Sequence, residues 1–218
     1  CVTGIDERLE ACFLQGLSTG VTLVTDENNV GAGIRVDYKY KDTNKFGVAV
    51  AWGGANFTPI SDLKKVIAAA DGDVSLVMLS RVKYDQMRQS QEAKELAANN
   101  AGIIVLDNSK LPVPLPNAFD AAFKAETGCD IKVVDRKVKI ETDGKVTNIN
   151  PWEDKYVVLL PSEQVGALVY GTLAEETNPV KQVDYTKANE YTLVSKFSKN
   201  DPLQEFTSAQ AIVLPVIE

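Results

Sequence analysis

Residues 74–89, VSLVMLSRVKYDQMRQ, decide how the chain is read. Residues 74–79 are a short apolar run, the signature of a buried strand rather than a half-exposed one. Ser80 then starts a polar, helix-forming stretch. A strand that runs straight into a helix points to a sheet with helices laid over it. The neighbours agree. Upstream, Thr58 and Pro59 make a good helix start, with Thr as N-cap and Pro in the first turn. Ile60, Leu63, Ile67 and Ala70 follow on one face. Downstream, EAKELAANN reads as a further helix and residues 103–106 as another apolar strand. The centre of the chain is therefore expected to be a small sheet covered by helices.

The flanks read differently. Residues 5–17 form a helix with Ile5, Leu9, Cys12 and Phe13 on one face, stopped by Gly20. Residues 21–24 and 34–40 are two strands of a hairpin around the turn-rich DENNVGAG. In the second, Ile34, Val36, Tyr38 and Tyr40 alternate with charged residues. Residues 46–52 read as a third strand, ended by Gly53 and Gly54. Further on, LPVPLPN places three prolines in seven residues, so it is a stiff extended loop. Asn117 is expected to cap the following helix, which carries Phe119, Ala122 and Phe123 and closes at Gly128. Residues 131–134, 138–141 and 146–149 suggest a meander with a DG turn at 143–144. Strands at 156–160, 167–170, 191–197 and 211–216 complete an α+β pattern.

Composition narrows the function classes. The 218-residue chain is 44% hydrophobic and 24% charged, enough to bury an ordinary core. A net charge of −7 argues against a nucleic-acid surface or an anionic membrane, which need clustered Lys and Arg. No apolar run is long enough to span a bilayer. The chain starts at Cys1 without a signal-peptide pattern, and an N-terminal piece is expected upstream of it. Cys1, Cys12 and Cys129 are few, odd in number and far apart, which fits a reducing compartment better than a disulfide framework. There is no histidine, which removes Ser-His and Cys-His nucleophiles and the usual zinc sites.

Each local motif has a plainer reading beside the functional one. GAGIRV at 31–36 has only the first two glycines of a dinucleotide fingerprint and sits in a hairpin, so it is a turn. Asp71 and Asp73 around Gly72 resemble the start of a calcium loop, but Leu76 and Val77 stand at later positions, so it too is a turn. Glu175 and Glu176 can be paired with Glu153 or Asp154 as an acid–base couple, or be a charged turn at a strand end, and the turn is favoured. Trp52 and Trp152 are sugar-stacking candidates or core aromatics, with the core favoured. The loop at 111–116 is either a contact element, because a rigid loop loses little entropy on binding, or a linker between subdomains. The residues weigh those two evenly.

Read in order, several stretches carry a resemblance. They are RLEACFLQGLSTG, NNVGAGIRVDYKY, WGGANFTPISDLKKVI, VSLVMLSRVKYDQMRQ, FKAETGCDIKVVDRKVK, KYVVLLPSEQVGALVYGTLAEE and DPLQEFTSAQAIVLPVIE. This succession resembles the major capsid proteins of tailed bacteriophages, the lambda-type group called capsid protein E. The match covers the whole chain and rests on the ordered set, since no single motif is diagnostic. It implies the Hong Kong ninety-seven capsid fold, with a spine helix, a peripheral β region and a helix-covered axial domain. On that map residues 5–17 end the spine helix. Residues 1–57 are part of the peripheral domain, 58–184 the axial domain, and 185–218 the return to the periphery. The family's N-terminal arm and hairpin arm would lie upstream of Cys1.

The resemblance implies a non-catalytic structural subunit of a phage or prophage head. Such a subunit self-assembles into pentamers and hexamers around the DNA genome and resides in the virion after assembly in the host cytoplasm. Scaffold, portal or decoration proteins are further partners in that setting. No cofactor, metal, membrane or specific nucleic-acid site is expected. Pro112, Pro114 and Pro116 are the candidate subunit contact, and the stretch at 157–176 is expected to belong to the axial β region. The alternatives are a carboxylate-dependent α+β enzyme, such as a glycoside hydrolase with Glu175, Glu176 and Trp152 at its cleft, or an encapsulin-like shell.

Overall fold

The computed structural model describes residues 1–24, 33–70, 73–103, 107, 110–142 and 145–217. It mixes helix and sheet, as an α+β chain does. The helices are α1 (Val2–Thr19), α2 (Pro59–Ala69), α3 (Arg81–Gln89), α4 (Gln91–Asn100), α5 (Pro116–Thr127) and α6 (Ala174–Thr177). The strands are β1 (Val21–Val24), β2 (Ile34–Asp37), β3 (Leu76–Ser80), β4 (Asp130–Val134), β5 (Val138–Thr142) and β6 (Lys145–Ile149). They continue with β7 (Val158–Leu160), β8 (Gly166–Gly171), β9 (Asp184–Lys187), β10 (Leu193–Asn200), β11 (Leu203–Gln210) and β12 (Ile212–Ile217). These elements form two compact units, each assembled from separate segments. One holds Cys1–Tyr38, Arg136–Pro151 and Gly166–Glu218; the other holds Lys39–Asp135 and Trp152–Val165. Of the segment 58–184, residues 136–151 and 166–184 fall in the first unit.

The second unit is built on β3. This strand lies between β4, to which it is parallel, and β7, to which it is antiparallel. All of β3 is buried, which is why its sequence runs apolar instead of alternating. Parallel neighbours cannot be joined by a tight turn, and α3, α4 and α5 fill the crossover from β3 to β4. Leu63, Tyr84, Met87, Phe119 and Phe123 from the helices close over Val77 and Leu79 of the strand. The Ser80 hydroxyl ends the strand and caps α3, accepting from the Lys83 N–H at 3.3 Å. Ser90 caps α4 in the same way, accepting from the Ala93 N–H at 3.2 Å. Thr58, expected as the cap of α2, makes no side-chain cap. The Glu92 carboxylate does it instead, accepting from the N–H groups of Ile60 (2.9 Å) and Ser61 (3.2 Å) and from the Ser61 hydroxyl. A carboxylate at a helix N-terminus also meets the positive end of the dipole.

In the first unit α1 packs against β1, β5 and β12. It ends at Gly20, whose left-handed backbone (φ 76°, ψ 3°) lets its N–H reach the Gly16 carbonyl at 2.7 Å. The buried stripe is Ala11, Cys12, Leu14 and Leu17, while Ile5, Leu9 and Phe13 are half-buried. The expected face was therefore right at Cys12 and rotated elsewhere. Gly16 lets the β1–β2 hairpin come close, since a Cβ there would stand 2.5 Å from both the Thr22 hydroxyl and the Tyr38 ring. Thr22 donates to the Cys12 carbonyl at 2.8 Å, and Tyr38 donates to the Pro215 carbonyl at 2.7 Å. Arg136 bridges Glu7 (2.8 Å) and Glu10 (2.7 Å) on α1. Strands β8 and β12 pair antiparallel, from Gly166↔Ile217 to Gly171↔Ile212. Strand β10 lies between β9 and β11.

Several expectations change. Residues 46–52 form no strand. A strand exists only with a ladder partner, and none pairs with this run among the described residues. Strand β4 belongs to the β3 sheet, so among the described residues β5 and β6 pair only with each other rather than ending a meander. The ribbon at 157–176 is not one β region: β7 joins the β3 sheet in the second unit, while β8 pairs with β12 in the first. Strand β2 stops at Asp37, although Val36, Tyr38 and Tyr40 keep the half-buried alternation. Residues 104–106 of the strand expected at 103–106, most of the DENNVGAG loop and the 143–144 turn lie outside the described residues.

Candidate functional site

The proline-rich loop is anchored to the second unit at one point. Residues 111–115 have no regular structure, and Pro116 is the first residue of α5 with Leu115 as its N-cap. Asn117 was expected as the cap; instead it lies inside the helix, which starts at Pro116, whose fixed φ suits the first helical position. Pro112 and Pro116 are exposed and Pro114 is half-buried. The Pro114 carbonyl accepts from two nitrogens of Arg88, Nε at 3.2 Å and Nη2 at 2.8 Å. Arg88 is itself held, by Asp85 at 3.2 Å and by the face of Tyr84, 5.5 Å from its guanidinium carbon. Tyr84 is buried and donates to the Asp120 carboxylate at 2.7 Å. Burial first, and then that carboxylate, push the Tyr84 phenol far above its usual range, so it stays a neutral donor.

This network runs from the core outward: Asp120 on α5, Tyr84 and Arg88 on α3, then the loop carbonyl. It fixes the loop while leaving Val113 at 44% and Leu115 at 75% exposure. The loop therefore offers apolar side chains on a backbone that has little entropy left to lose. It holds no nucleophile, base or metal ligand, so what it can do is make contact.

The carboxylate candidates are arranged otherwise. Glu175 and Glu176 sit in the four-residue α6. Glu176 forms an ion pair with Lys187 and accepts from the Leu173 N–H at 3.4 Å. The Lys187 hydrogen bond holds the Glu176 carboxyl below the usual carboxylate range. A general acid needs the opposite shift. Glu153 and Asp154 belong to the other unit. Both tryptophans are buried, Trp152 donating to the Tyr156 carbonyl at 3.4 Å and Trp52 to Asp62 at 3.3 Å, so neither offers a stacking face. Burial pushes the Cys12 and Cys129 thiols up, away from the thiolate. Of the calcium-like trio, Asp71 and Gly72 lie outside the described residues, as does Gly31 of GAGIRV. Among the described residues no group of three Cys, Asp or Glu is placed to hold a metal ion, and no helix is long and apolar enough to cross a membrane.

Two apolar surfaces escaped the sequence reading as sites. Residues 41–50 are exposed throughout, with Phe46, Val48 and Val50 at 44%, 46% and 41%. Strand β8 is exposed from Ala167 to Gly171, with Leu168, Val169 and Tyr170 at 44%, 57% and 49%. Their signal was present: residues 46–50 and strand β8 are uncharged apolar runs, which sequence alone assigns to a core. No protein-family model matches the chain, and no curated protein matches it.

Proposed function

We propose that the chain is a structural subunit of an icosahedral phage or prophage head that self-assembles into pentamers and hexamers around a DNA genome. Its place is then the virion, after assembly in the host cytoplasm, and it carries out no catalysis. In this reading α1 is the end of the spine helix, the strand-rich unit is peripheral, and the helix-covered unit is the axial domain. The ordered resemblance of its sequence stretches to tailed-phage capsid proteins supports the reading. The structural observation that carries it is the anchored loop at 111–116. A chain that fixes Pro114 through Arg88 while leaving Val113 and Leu115 in water is built for repeated contact. Rings demand contacts that are heterologous and that close, and a fixed protrusion suits that geometry.

Negative-stain microscopy with sedimentation velocity tests the proposal, on the protein expressed with whatever precedes Cys1 in its gene. Uniform shells, or rings of five and six, are expected. A monomer at every salt and crowding condition overturns the reading. Replacing Pro112, Pro114 and Pro116 by Gly and Ser should abolish rings and shells while the helix-covered unit stays folded. Unchanged particles would remove the loop from the contact.

A further inference from the structure

Strands β10 and β11 form a ribbon that outruns its sheet. The β9 ladder ends where Lys196 faces Asp184, yet β10 and β11 stay paired out to Asn200↔Leu203. Residues 196–205 are exposed throughout. Asp201 and Pro202 form the turn, and Leu203 beside it is 83% exposed. The two faces of the ribbon differ. Phe197, Phe206 and Lys199 share one, with the rings stacked at 5.0 Å and the Lys199 amine 5.9 Å from the Phe206 centroid. Leu203 and Glu205 share the other, because alternate residues of a strand point the same way. Lys196 is on that second face too, at the far end from the tip. Among the described residues neither Asp201 nor Glu205 makes an ion pair.

The same unit carries an open groove of about 360 Å³ where α1 meets β12. Its apolar walls are Ile5 and Leu9 of the helix with Ala211 and Val213, all half-buried. Cys1 and Arg8 border it. The acidic neighbours of Arg8 on α1 are already engaged: Asp6 accepts from the Tyr191 hydroxyl at 3.3 Å, and Glu7 and Glu10 hold Arg136. Arg8 itself makes no ion pair among the described residues. The groove therefore suits an apolar side chain with a carboxylate beside it. Its own ribbon is turned away from it. The Cys1 thiol meets the Thr207 carbonyl at 3.5 Å, near the base of the ribbon, and Leu203 lies in the opposite direction from Ala211. At about 3.4 Å per residue, β11 sets Leu203 on the order of 25 Å from Ala211.

We infer that Leu203, at the ribbon tip of one copy, enters the groove between α1 and β12 of a second copy, where Glu205 pairs with Arg8. The apolar tip supplies the fit, and the carboxylate–guanidinium pair fixes its orientation. Tip and groove are different patches of one chain, so the contact is heterologous and can close into a ring. One leucine and one ion pair are less than a stable interface needs, so the contact acts together with others. The inference rests on the proposed assembly and names one of its contacts.

A charge swap tests it, on the protein expressed with whatever precedes Cys1 in its gene, read by sedimentation velocity and by Tm. Arg8→Glu and Glu205→Arg should each lose the particles while keeping the Tm of the folded monomer. The double variant should recover them. Particles formed by either single variant overturn the contact but leave assembly intact. Loss without recovery in the double variant also overturns it, and gives the groove another occupant, such as any chain preceding Cys1. An unsubstituted protein that stays monomeric overturns both. Leu203→Asp covers the case in which Arg8→Glu fails to fold, because it changes a side chain already in water. It should lose the particles at unchanged Tm, and particles formed by Leu203→Asp overturn the contact.

Discussion

Every residue of β3 in the helix-covered unit is out of water, while in the strand-rich unit every residue of β6 is in it. The same contrast separates the core of the one unit from the outer ladders of the other. The helix-covered unit gathers Phe119, Phe123, Tyr84 and Met87 into one cluster with almost no exposure. The strand-rich unit buries α1 against its strands but leaves most of β8, β10 and β11 open. Two-stranded pairs and narrow ribbons are marginal alone in water. The first arrangement closes a core within one copy. The second leaves much of its ladders in water.

The sharpest way to break that comparison is a matched pair of truncations. Phe119→Ala removes a fully buried ring in edge contact with Tyr84, 6.0 Å away, and should cost about 3–5 kcal/mol in denaturant unfolding. Phe197→Ala removes a ring stacked on Phe206 at 5.0 Å but 38% exposed, and should cost only about 0.5–1.5 kcal/mol. Equal losses would mean that the two units do not differ in the way described. Next in size, Arg88→Ala leaves the Pro114 carbonyl without its charged donor and should cost about 1.5–3 kcal/mol. Its telling readout is faster proteolysis within 111–115.

Smaller again is Glu92→Ala, which uncaps α2 and should cost about 0.5–2 kcal/mol by thermal unfolding. The smallest effect lies in the strand-rich unit. Lys187 holds the Glu176 carboxyl below its unfolded value. Its contribution is therefore present above the ordinary glutamate range and lost as pH falls through the folded value. Because the Lys187 side chain is exposed and Glu176 only half-buried, salt should weaken the pair. Glu176→Gln should lower Tm slightly at neutral pH, and the two proteins should converge in acid. Parallel curves would mean that the Lys187 pair contributes nothing.

Legibility from sequence followed burial. The β3 stretch was readable because a strand buried on both faces runs apolar and a serine closes it. Gly20 and Gly128 were readable as helix stops, and both take left-handed backbones. Strand β11, LQEFTSAQ, was not readable because a ladder open to water needs no apolar alternation. Residues 46–52 misled for the converse reason: their local preference is for a strand, but a ladder needs a partner. In the candidate site, the stiffness of 111–116 was visible in its prolines. The anchoring was not, since the Arg88 contact spans 26 residues and a backbone carbonyl acceptor leaves no mark on composition. Glu92 capping α2 from α4 was hidden in the same way.

The segmentation of the units sets a timetable for a chain emerging from the ribosome. Helix α1 precedes every other described element, and its partner β12 follows them all. Until β12 is made, the buried stripe of α1 therefore lacks one of the surfaces it packs on. The parts of the helix-covered unit lie closer together in sequence, and contacts of shorter loop form sooner. That unit is complete once β7 has been made, while the strand-rich unit still awaits β8 to β12. The exposed ladders of β8, β10 and β11 are thus made after the helix-covered unit can close.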